Sequence, residues 1–517
     1  MKNKLSRRDF LKLSGALSLG VMLPKTFDTF AAPSSQPEPK NILIIVFDAL
    51  SAYNVPLYGY ERNTMPNLAR LAKRAIVYHN HYSGSNFTSP GTASLLTGTL
   101  PWTHRAIAFG GKVAADFTFK NIFHALGGHY ALAYTHNTWA DIFLKQFQDD
   151  IEEFVPRASL YLSSYDATIG AIFRNDEDLA AVSWARTMKS KEYGFAYSLF
   201  LSRFYESLIR YQVKSLEPNF PIGFPTSGSD GGFILEQAVA YLVRRMEAAP
   251  RPFIGYFHFL PPHKPYRPPR EFYEAFRDDG YLPLEKPIDE ILTRPGRENL
   301  ALERRVYDEF ILYCDQQFAR LYDALEKSGL LDSTYLILTS DHGEMNERGV
   351  SGHGTHLLYE PIIRVPLVIF EPGRETGLQV YDHVSSIDLL PTLAHLTGQP
   401  IPDWVEGTIL PPFAPSSKRD VYAVRATQNS PSAPLTIASV AQITENYKLH
   451  YYFGYKNLPP EGMVKLFDIQ ADAEEMTDLS HAKKTVADEL LARLKDNYKQ
   501  SIGLTWADDV SQECPVR

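Results

Sequence analysis

The segment Thr88-Ser89-Pro90-Gly91-Thr92-Ala93-Ser94-Leu95-Leu96-Thr97-Gly98 presents a hydroxyl where a helix is expected to begin, with Pro and small residues in the first turn. Unpaired backbone N–H groups and the helix dipole at such a start favour an anion beside the hydroxyl. Alone, the string also reads as an ordinary capped helix, because Thr and Ser are favoured caps. Two further segments give it chemical context. Asn41-Ile42-Leu43-Ile44-Ile45-Val46-Phe47-Asp48 is an apolar strand ending in a carboxylate, and Leu336-Ile337-Leu338-Thr339-Ser340-Asp341-His342-Gly343-Glu344 is a second strand ending in Asp-His-Gly. Oxygen and nitrogen donors at strand ends, beside a hydroxyl at a helix start, are the parts of a metal site that handles a phosphate-type anion.

Those residues need a scaffold that brings strand ends together. From Asn41 onward, apolar strands alternate with helical stretches such as Met65–Arg74 and Lys120–Leu126, the pattern of an α/β fold with a mostly parallel central sheet flanked by helices. Sheets of this kind place ligands at the strand C-termini. Residues 142–232 are rich in Phe, Tyr, Arg and Lys, with helical stretches such as Tyr197–Val213; they are expected to form an insertion that caps the site, or a scaffold lobe, and to carry specificity. Phe233–Arg245 has the spacing of an amphipathic helix returning to the core. Residues 33–39 are Pro/Ser-rich and read as a linker, and a shorter region over 415–517 contains Lys448–Phe453, a strand at Lys465–Ile469 and a last helix at Lys484–Tyr498.

In order along the chain, these segments resemble the sulfatase-like branch of the alkaline phosphatase superfamily. After Asp48 and the Thr88 segment comes His258-Phe259-Leu260-Pro261-Pro262-His263-Lys264-Pro265-Tyr266, similar to the branch's D/P-P-H-x-P-Y segment. Ser340 to Glu344, Gly352-His353-Gly354, Tyr359-Glu360 with Arg364-Val365-Pro366-Leu367, and Val384 to Thr392 follow in family order. Lys465 to Ile469 with Asp472, Glu475 and Leu479 resembles the closing signature. The resemblance implies a catalytic domain over 40–414 and a small C-terminal sheet-and-helix subdomain over 415–517. It also implies that His263 and His353 face the substrate, to hold non-bridging oxygens and protonate a leaving group; imidazole suits both tasks, with an ordinary pKa near 6.5. His356 falls where many sulfatases have a sulfate-binding Lys, and Asn137 near another family Lys, so both are expected to bind substrate. His104 and Arg105 are expected to stabilise a loop or touch the anion.

Two departures from the family pattern direct the chemistry. True sulfatases carry C/S-x-P-x-R, whose Cys or Ser is oxidised to formylglycine; here those positions read Thr88 and Thr92. A threonine cannot give that aldehyde, because its β-carbon already bears a methyl group. Thr88 instead resembles the nucleophile of phosphoethanolamine transferases, lipoteichoic acid synthases and nucleotide phosphodiesterases of the same superfamily. The second departure is Ala49 after Asp48, where calcium sulfatases show a second Asp. Losing an oxygen ligand while offering His342 shifts preference from Ca²⁺ toward Zn²⁺ or Mn²⁺, with Asp48, Asp341, His342 and the Thr88 oxygen as the ligand set. The expectation is a metal-dependent hydrolase or transferase acting on phosphate or phosphonate esters through a covalent Thr88 intermediate. The alternatives are a sulfuric ester hydrolase working without formylglycine, and a non-catalytic binding protein of the same fold.

Composition agrees with an exported globular enzyme. The 517 residues suffice for two domains and a large core, and 44% apolar with 22% charged residues are globular values. Ser6-Arg7-Arg8-Asp9-Phe10-Leu11-Lys12 matches the twin-arginine export consensus, and the apolar run Leu13 to Leu23 is too short and Gly-rich to span a bilayer comfortably. Residues 1–32 are therefore expected to be a signal peptide read by the twin-arginine machinery, delivering a periplasmic or extracellular protein with no transmembrane anchor. Removing them, with six Lys/Arg and two Asp/Glu, leaves 46 cations against 58 anions, a balance of −12. That charge argues against nucleic acid and against an anionic lipid surface, and leaves a small-molecule, lipid or glycan ester as the partner. Cys314 and Cys514 lie 200 positions apart, away from every motif, so neither thiol chemistry nor a disulfide is expected.

Overall fold

The computed structural model describes residues 40–162, 211, 213–226, 232–292, 299–430 and 432–502. The apolar run after Lys40 is strand β1 (Asn41–Phe47), buried along its whole length. A β-branched strand hidden on both faces belongs in the middle of a sheet covered on two sides. The sheet has eight strands: β1, β2 (Ile76–Tyr82), β3 (Tyr130–Thr135), β4 (Glu153–Phe154), β5 (Phe253–Phe259), β6 (Thr334–Thr339), and, beyond a short hairpin of β7 (Met345–Glu347) and β8 (Val350–Gly352), β9 (Leu367–Phe370) and β10 (Leu378–Ser385). Their spatial order is β10-β2-β9-β6-β1-β5-β3-β4, and β9 alone runs against its neighbours. The expected mostly parallel α/β architecture is present.

The alternation of β1 divides the core. Leu43, Ile45 and Phe47 pack toward helices Leu235–Ala248 and Leu300–Lys327, whereas Ile42, Ile44 and Val46 pack toward Thr88–Thr97, Thr138–Gln146 and Leu389–Leu396. The Phe233–Arg245 expectation corresponds to Leu235–Ala248, and the Met65–Arg74 stretch forms a short α-helix at Pro66–Leu71 followed by a 3₁₀ turn at Ala72–Arg74. The 28-residue helix Leu300–Lys327 has no counterpart in the sequence reading. Within 142–232, Phe143, Leu144, Phe147 and Ile151 belong to the main core, and β4 pairs with β3 at the sheet edge. The stretch Tyr197–Val213 lies almost entirely outside the described residues, as do Cys514 and residues 1–39; Cys314 is buried.

A separate antiparallel sheet of β11 (Val421–Arg425), β12 (Ala438–Ile443), β13 (Tyr447–Phe453) and β14 (Met463–Asp468) follows, with helix Lys484–Ile502 packed on one face. Its other face meets the 345–363 segment through Val421, Ala423, Tyr452 and Phe467 against Met345, Leu357, Leu358 and Ile362. A buried ionic cluster crosses that seam. The Lys448 ammonium reaches Glu360 and Glu475 at 2.9 Å each, and His450 Nε2 lies 3.2 Å from Glu475. Burial alone would raise the Glu475 carboxyl, but Lys448 and His450 outweigh it and hold it at about 2.

A carboxyl whose folded pKa lies below its ordinary 4.5 adds stability above pH 4.5 and loses it as pH falls toward 2. Glu475→Gln is therefore expected to lower the melting temperature at pH 7, with the gap from the parent protein closing through the acid range. A gap that stayed constant down to pH 3 would deny the cluster its electrostatic role.

Candidate active site and metal centre

Four neighbouring strands of the parallel sheet, in the order β6-β1-β5-β3, deliver side chains at their C-terminal ends. Asp341 and His342 follow β6, Asp48 follows β1, His258 sits near the end of β5, and Asn137 follows β3. Parallel register sets Val46 beside Thr339 on one side and His258 on the other, so the exits of these strands converge. Thr88 is the first residue of its helix, with Phe87 as the extended cap residue. The helix presses closely on the strand ends. A side chain at Gly91 would put its Cβ 2.2 Å from the Asp341 carbonyl oxygen, to which the Ser83 hydroxyl also donates.

Every polar group in this centre is buried. Thr88 Oγ1 lies 3.3 Å from His342 Nε2, and the Asn137 amide nitrogen donates to Thr88 Oγ1 at 3.3 Å and to Asp48 Oδ2. The Asn137 oxygen is occupied as a helix cap, accepting from Trp139 N at 2.6 Å and Ala140 N at 3.3 Å. The cap thus fixes which way the amide faces, and its NH₂ points into the site. The His342 Nδ1 position is taken by the Gly343 carbonyl at 2.9 Å, which turns Nε2 toward Asp48 Oδ1 at 3.4 Å and Asp341 Oδ2 at 3.7 Å. Thr92 Oγ1 donates to Asp341 Oδ2 at 3.4 Å. Where a true sulfatase places Arg, this chain spends a hydroxyl on the carboxylate.

Two of these groups are carboxylates with almost no solvent, Asp48 at 0% and Asp341 at 1% exposure. Burial alone would raise the Asp48 carboxyl, but His263, His258 and His342 outweigh that and hold it below the ordinary carboxylate range. Asp48 Oδ1 nonetheless accepts no hydrogen bond from the described residues. An orphaned buried carboxylate oxygen is costly and fits a cation. Ligand atoms of Asp48, Asp341 and His342 all lie within 4.8 Å of one another, so these three could hold a divalent ion. Ala49, next in the chain, is held at φ +61°, a left-handed conformation uncommon for a residue with a Cβ. The Tyr307 hydroxyl, from the long helix, donates to its carbonyl at 2.6 Å.

The histidines form a ring over the centre. His353 lies with its centroid 4.3 Å from His342 and 4.8 Å from His263. Its Nδ1 meets the buried Glu344 Oε1 at 2.9 Å, while His263 Nδ1 meets the Lys264 carbonyl. Thus Thr88, Asp48, Asp341, His342, Asn137, His263 and His353 form one cluster. His356 stands to the side, its ring tilted against Tyr455 at 4.5 Å. His104 is a buried structural residue, bonded to Ser94 Oγ at 3.1 Å and Ala106 N at 3.1 Å, and Arg105 ties the loop carbonyls of Trp102, Ser430 and Ala433. Two members had no assigned role in the sequence. His258 Nε2 lies 3.1 Å from Asp48 Oδ2, and its only sequence signal is an imidazole inside an otherwise apolar buried strand. Glu344, three residues after Asp341, is held below its ordinary value because His353, His263 and His342 outweigh the burial that would raise it.

The Sulfatase family profile matches residues 40–399, and the profile of N-sulphoglucosamine sulphohydrolase, C-terminal, matches 352–502. The chain belongs to the sulfatase family. It is an ester hydrolase of the alkaline phosphatase superfamily. Choline-sulfatase of Rhizobium meliloti (strain 1021) is 26% identical over 87% of this chain and 84% of its own. The multifunctional alkaline phosphatase superfamily protein PehA of Trinickia caryophylli is 27% identical over 90% and 95%. The phosphonate monoester hydrolase of Agrobacterium radiobacter shares the fold, with a TM-score of 0.64 at 18% identity over 89% of this chain and 96% of that one.

Chelator-treated protein is expected to melt at higher temperature once Zn²⁺ or Mn²⁺ is restored, by about 2.7 kcal/mol of stability at a hundredfold excess over Kd. Asp48→Asn should lose most of that gain. Equal gains in both proteins would place the ion elsewhere.

Proposed function

We propose that this sulfatase-family enzyme is an exported, metal-dependent hydrolase or transferase of phosphate or phosphonate esters that works through a covalent Thr88 intermediate. The observation that carries the reading is the position of Thr88 Oγ1. It stands at a helix start, 3.3 Å from both His342 Nε2 and the Asn137 amide, above the buried Asp48 and Asp341. A divalent ion held by Asp48, Asp341 and His342 would lower the pKa of the Thr88 hydroxyl and polarise the ester.

The chain's own residues do the rest. Thr88 Oγ1, its proton lost to solvent, attacks phosphorus in line with the leaving alcohol. The new P–O bond to Thr88 forms as the bond to the alcohol oxygen breaks. Developing charge on the equatorial oxygens is met by the helix N-terminus, the Asn137 NH₂ and His263. His353, with Nδ1 tied to Glu344, is set to give a proton to the departing oxygen from its other nitrogen. In the second step a water that gives its proton back to His353 attacks phosphorus, and the bond to Thr88 Oγ1 breaks; an alcohol in place of water makes the same step a transfer. Export by the twin-arginine route through residues 1–32, a linker over 33–39, a catalytic domain over 40–414 with a specificity-bearing segment at 142–232, and a C-terminal subdomain over 415–517 complete the reading. Among the described residues no helix is long and apolar enough to cross a membrane.

A sulfuric ester is the second reading, favoured by the family profile and by the choline-sulfatase relative. The same residues would serve it, with sulfur in place of phosphorus.

Purified, metal-loaded protein assayed on nitrophenyl phosphate, phosphate diester, phosphonate and sulfate separates these readings. Turnover of a phosphorus ester is expected, with Thr88→Ala losing on the order of 10³-fold or more in kcat. Dominant sulfate turnover would replace the phosphorus reading with the sulfuric one, and activity surviving in Thr88→Ala would remove the covalent step. His353→Ala should lose about 10²–10⁴-fold on an alkyl ester and much less on a nitrophenyl ester, whose leaving group needs no proton. Equal losses on both would deny His353 the role of acid.

A further inference from the structure

Arg425, the last residue of β11, is 5% exposed. Its Nε and Nη1 are buried and have no hydrogen-bond partner among the described residues. Other buried arginines have found anions: Arg62 pairs with Asp308 at 2.9 Å and Arg304 with Glu347 at 2.9 Å. Among the described residues Arg425 pairs with no carboxylate. Its guanidinium instead lies over the rings of Phe87 and Phe109, at 5.6 and 5.9 Å from their centroids. Burial pulls it down to about 10, so it remains a cation at neutral pH. A charged group buried without a partner is one of the most expensive arrangements a fold can hold. It implies a missing anion.

The location says which anion. Val424 N donates to the Gly84 carbonyl at 2.8 Å, and the Ser85 hydroxyl donates back to the Val424 carbonyl at 2.6 Å. The end of β11 is therefore stapled to the segment that runs into Thr88, and Phe87 is the residue before it. The reacting centre is already surrounded by Asn137, His263, His342 and His353. Arg425 stands beyond the Phe87 ring, on the side of the 349–356 segment that bears His353. Asn86 Nδ2 ties that segment in, donating to the Thr355 carbonyl at 2.8 Å. A cleft of about 530 Å³ opens beside that segment, lined by Ser351, His356, Gln428, Tyr455, Lys456 and Asn457; Arg425 is not part of its lining and reaches it only through His356. The charge of Arg425 acts on His356, whose ring burial and the guanidinium together push down to about 4. His356 Nδ1 is likewise buried without a hydrogen-bond partner among the described residues.

We propose that Arg425 is a specificity-determining residue whose charge, set behind His356, favours a second negative charge of the substrate, carried on the leaving alcohol rather than on the reacting centre, beside the 349–356 segment. The inference rests on the reading above for the direction in which the alcohol departs. The substrate class it names is an ester whose alcohol portion is itself anionic, bearing a carboxylate, sulfate or phosphate. Cation and anion meet in a buried, aromatic-walled slot where guanidinium pairing is strong and geometrically selective.

The test compares calorimetric binding of benzenesulfonate and benzene-1,3-disulfonate to the metal-loaded parent protein, Arg425→Met, Arg425→Lys and Thr88→Ala. It runs beside kinetics on a nitrophenyl ester with and without an added carboxylate on the leaving group. The parent and Thr88→Ala are expected to bind the dianion at least tenfold more tightly than the monoanion. Arg425→Met should erase that preference and raise KM for the carboxylated ester alone, and Arg425→Lys should keep part of it. Without any anion, Arg425→Met should melt at or above the parent temperature, because it removes an unpaired buried charge; a purely structural arginine would lower it. A parent without dianion preference, or Arg425→Met retaining it, overturns the proposal. Binding selectivity that depends on Arg425 in a protein that turns over no ester would sustain this inference while the covalent reading failed. Should Arg425→Met not fold, the partial selectivity of Arg425→Lys decides the matter by itself.

Discussion

Two carboxylates, Asp48 and Asp341, are buried side by side at the ends of adjacent parallel strands, and the rest of the centre answers that arrangement. Like charges out of water cannot coexist unless positive charge is brought to them. Imidazoles of His258 and His342, the Asn137 amide and a helix N-terminus turn donors toward them, and an oxygen with no hydrogen-bond partner among the described residues makes room for a cation. The sheet satisfies this demand through register. Because β1 lies between β5 and β6, a shift of one residue in either pairing would turn His258 or Asp341 away from Asp48. Strain at Ala49 belongs to the same account, stabilised from the opposite face by Tyr307.

What could be read in the sequence was whatever is local. Asp48 and the Asp341-His342 pair announce themselves as polar residues ending apolar runs, and Thr88 sits in a string whose small residues and Pro mark a helix start. The strands at Lys448–Phe453 and Lys465–Ile469 and the closing helix were legible for the same reason, with periodicity intact. Groups defined by distant contacts were not. His258 looked like one polar residue in a buried strand, and Glu344 like the tail of a motif; each acquires meaning only from a neighbour 210 or 9 positions away. The helix Leu300–Lys327 escaped notice because its buried face carries Arg304, Asp308, Asp315 and Gln317, which blur the apolar stripe that marks a helix. Those residues are paired inside, Asp308 with Arg62, Asn54 and Tyr60, a fact no single-residue pattern contains.

Thr88 and Thr92 stand one turn apart on the same helix and face the same buried centre. Thr92 spends its hydroxyl on Asp341, so the helix contributes a ligand-orienting bond where a cation would otherwise stand. The positive charge that position lacks is found on a different segment, at Arg425, which reaches the same neighbourhood from the small antiparallel sheet. Positive charge near Thr88 is thus provided by tertiary structure rather than by the first turn of one helix. A motif scan of the Thr88 segment would miss it.

The close approach of Gly91 to the Asp341 carbonyl has a consequence for how such a protein can diversify. The Thr88 helix and Asp341 are locked as one block, with no slack for either to migrate while the other stays. Novelty can therefore enter through pieces outside that block, such as the hairpin at 345–352 and the terminal sheet, which are drawn from different stretches of chain and pack on each other through their own cluster. Recognition can be rewritten there like an exchangeable jaw on a fixed vice, leaving the reactive geometry untouched.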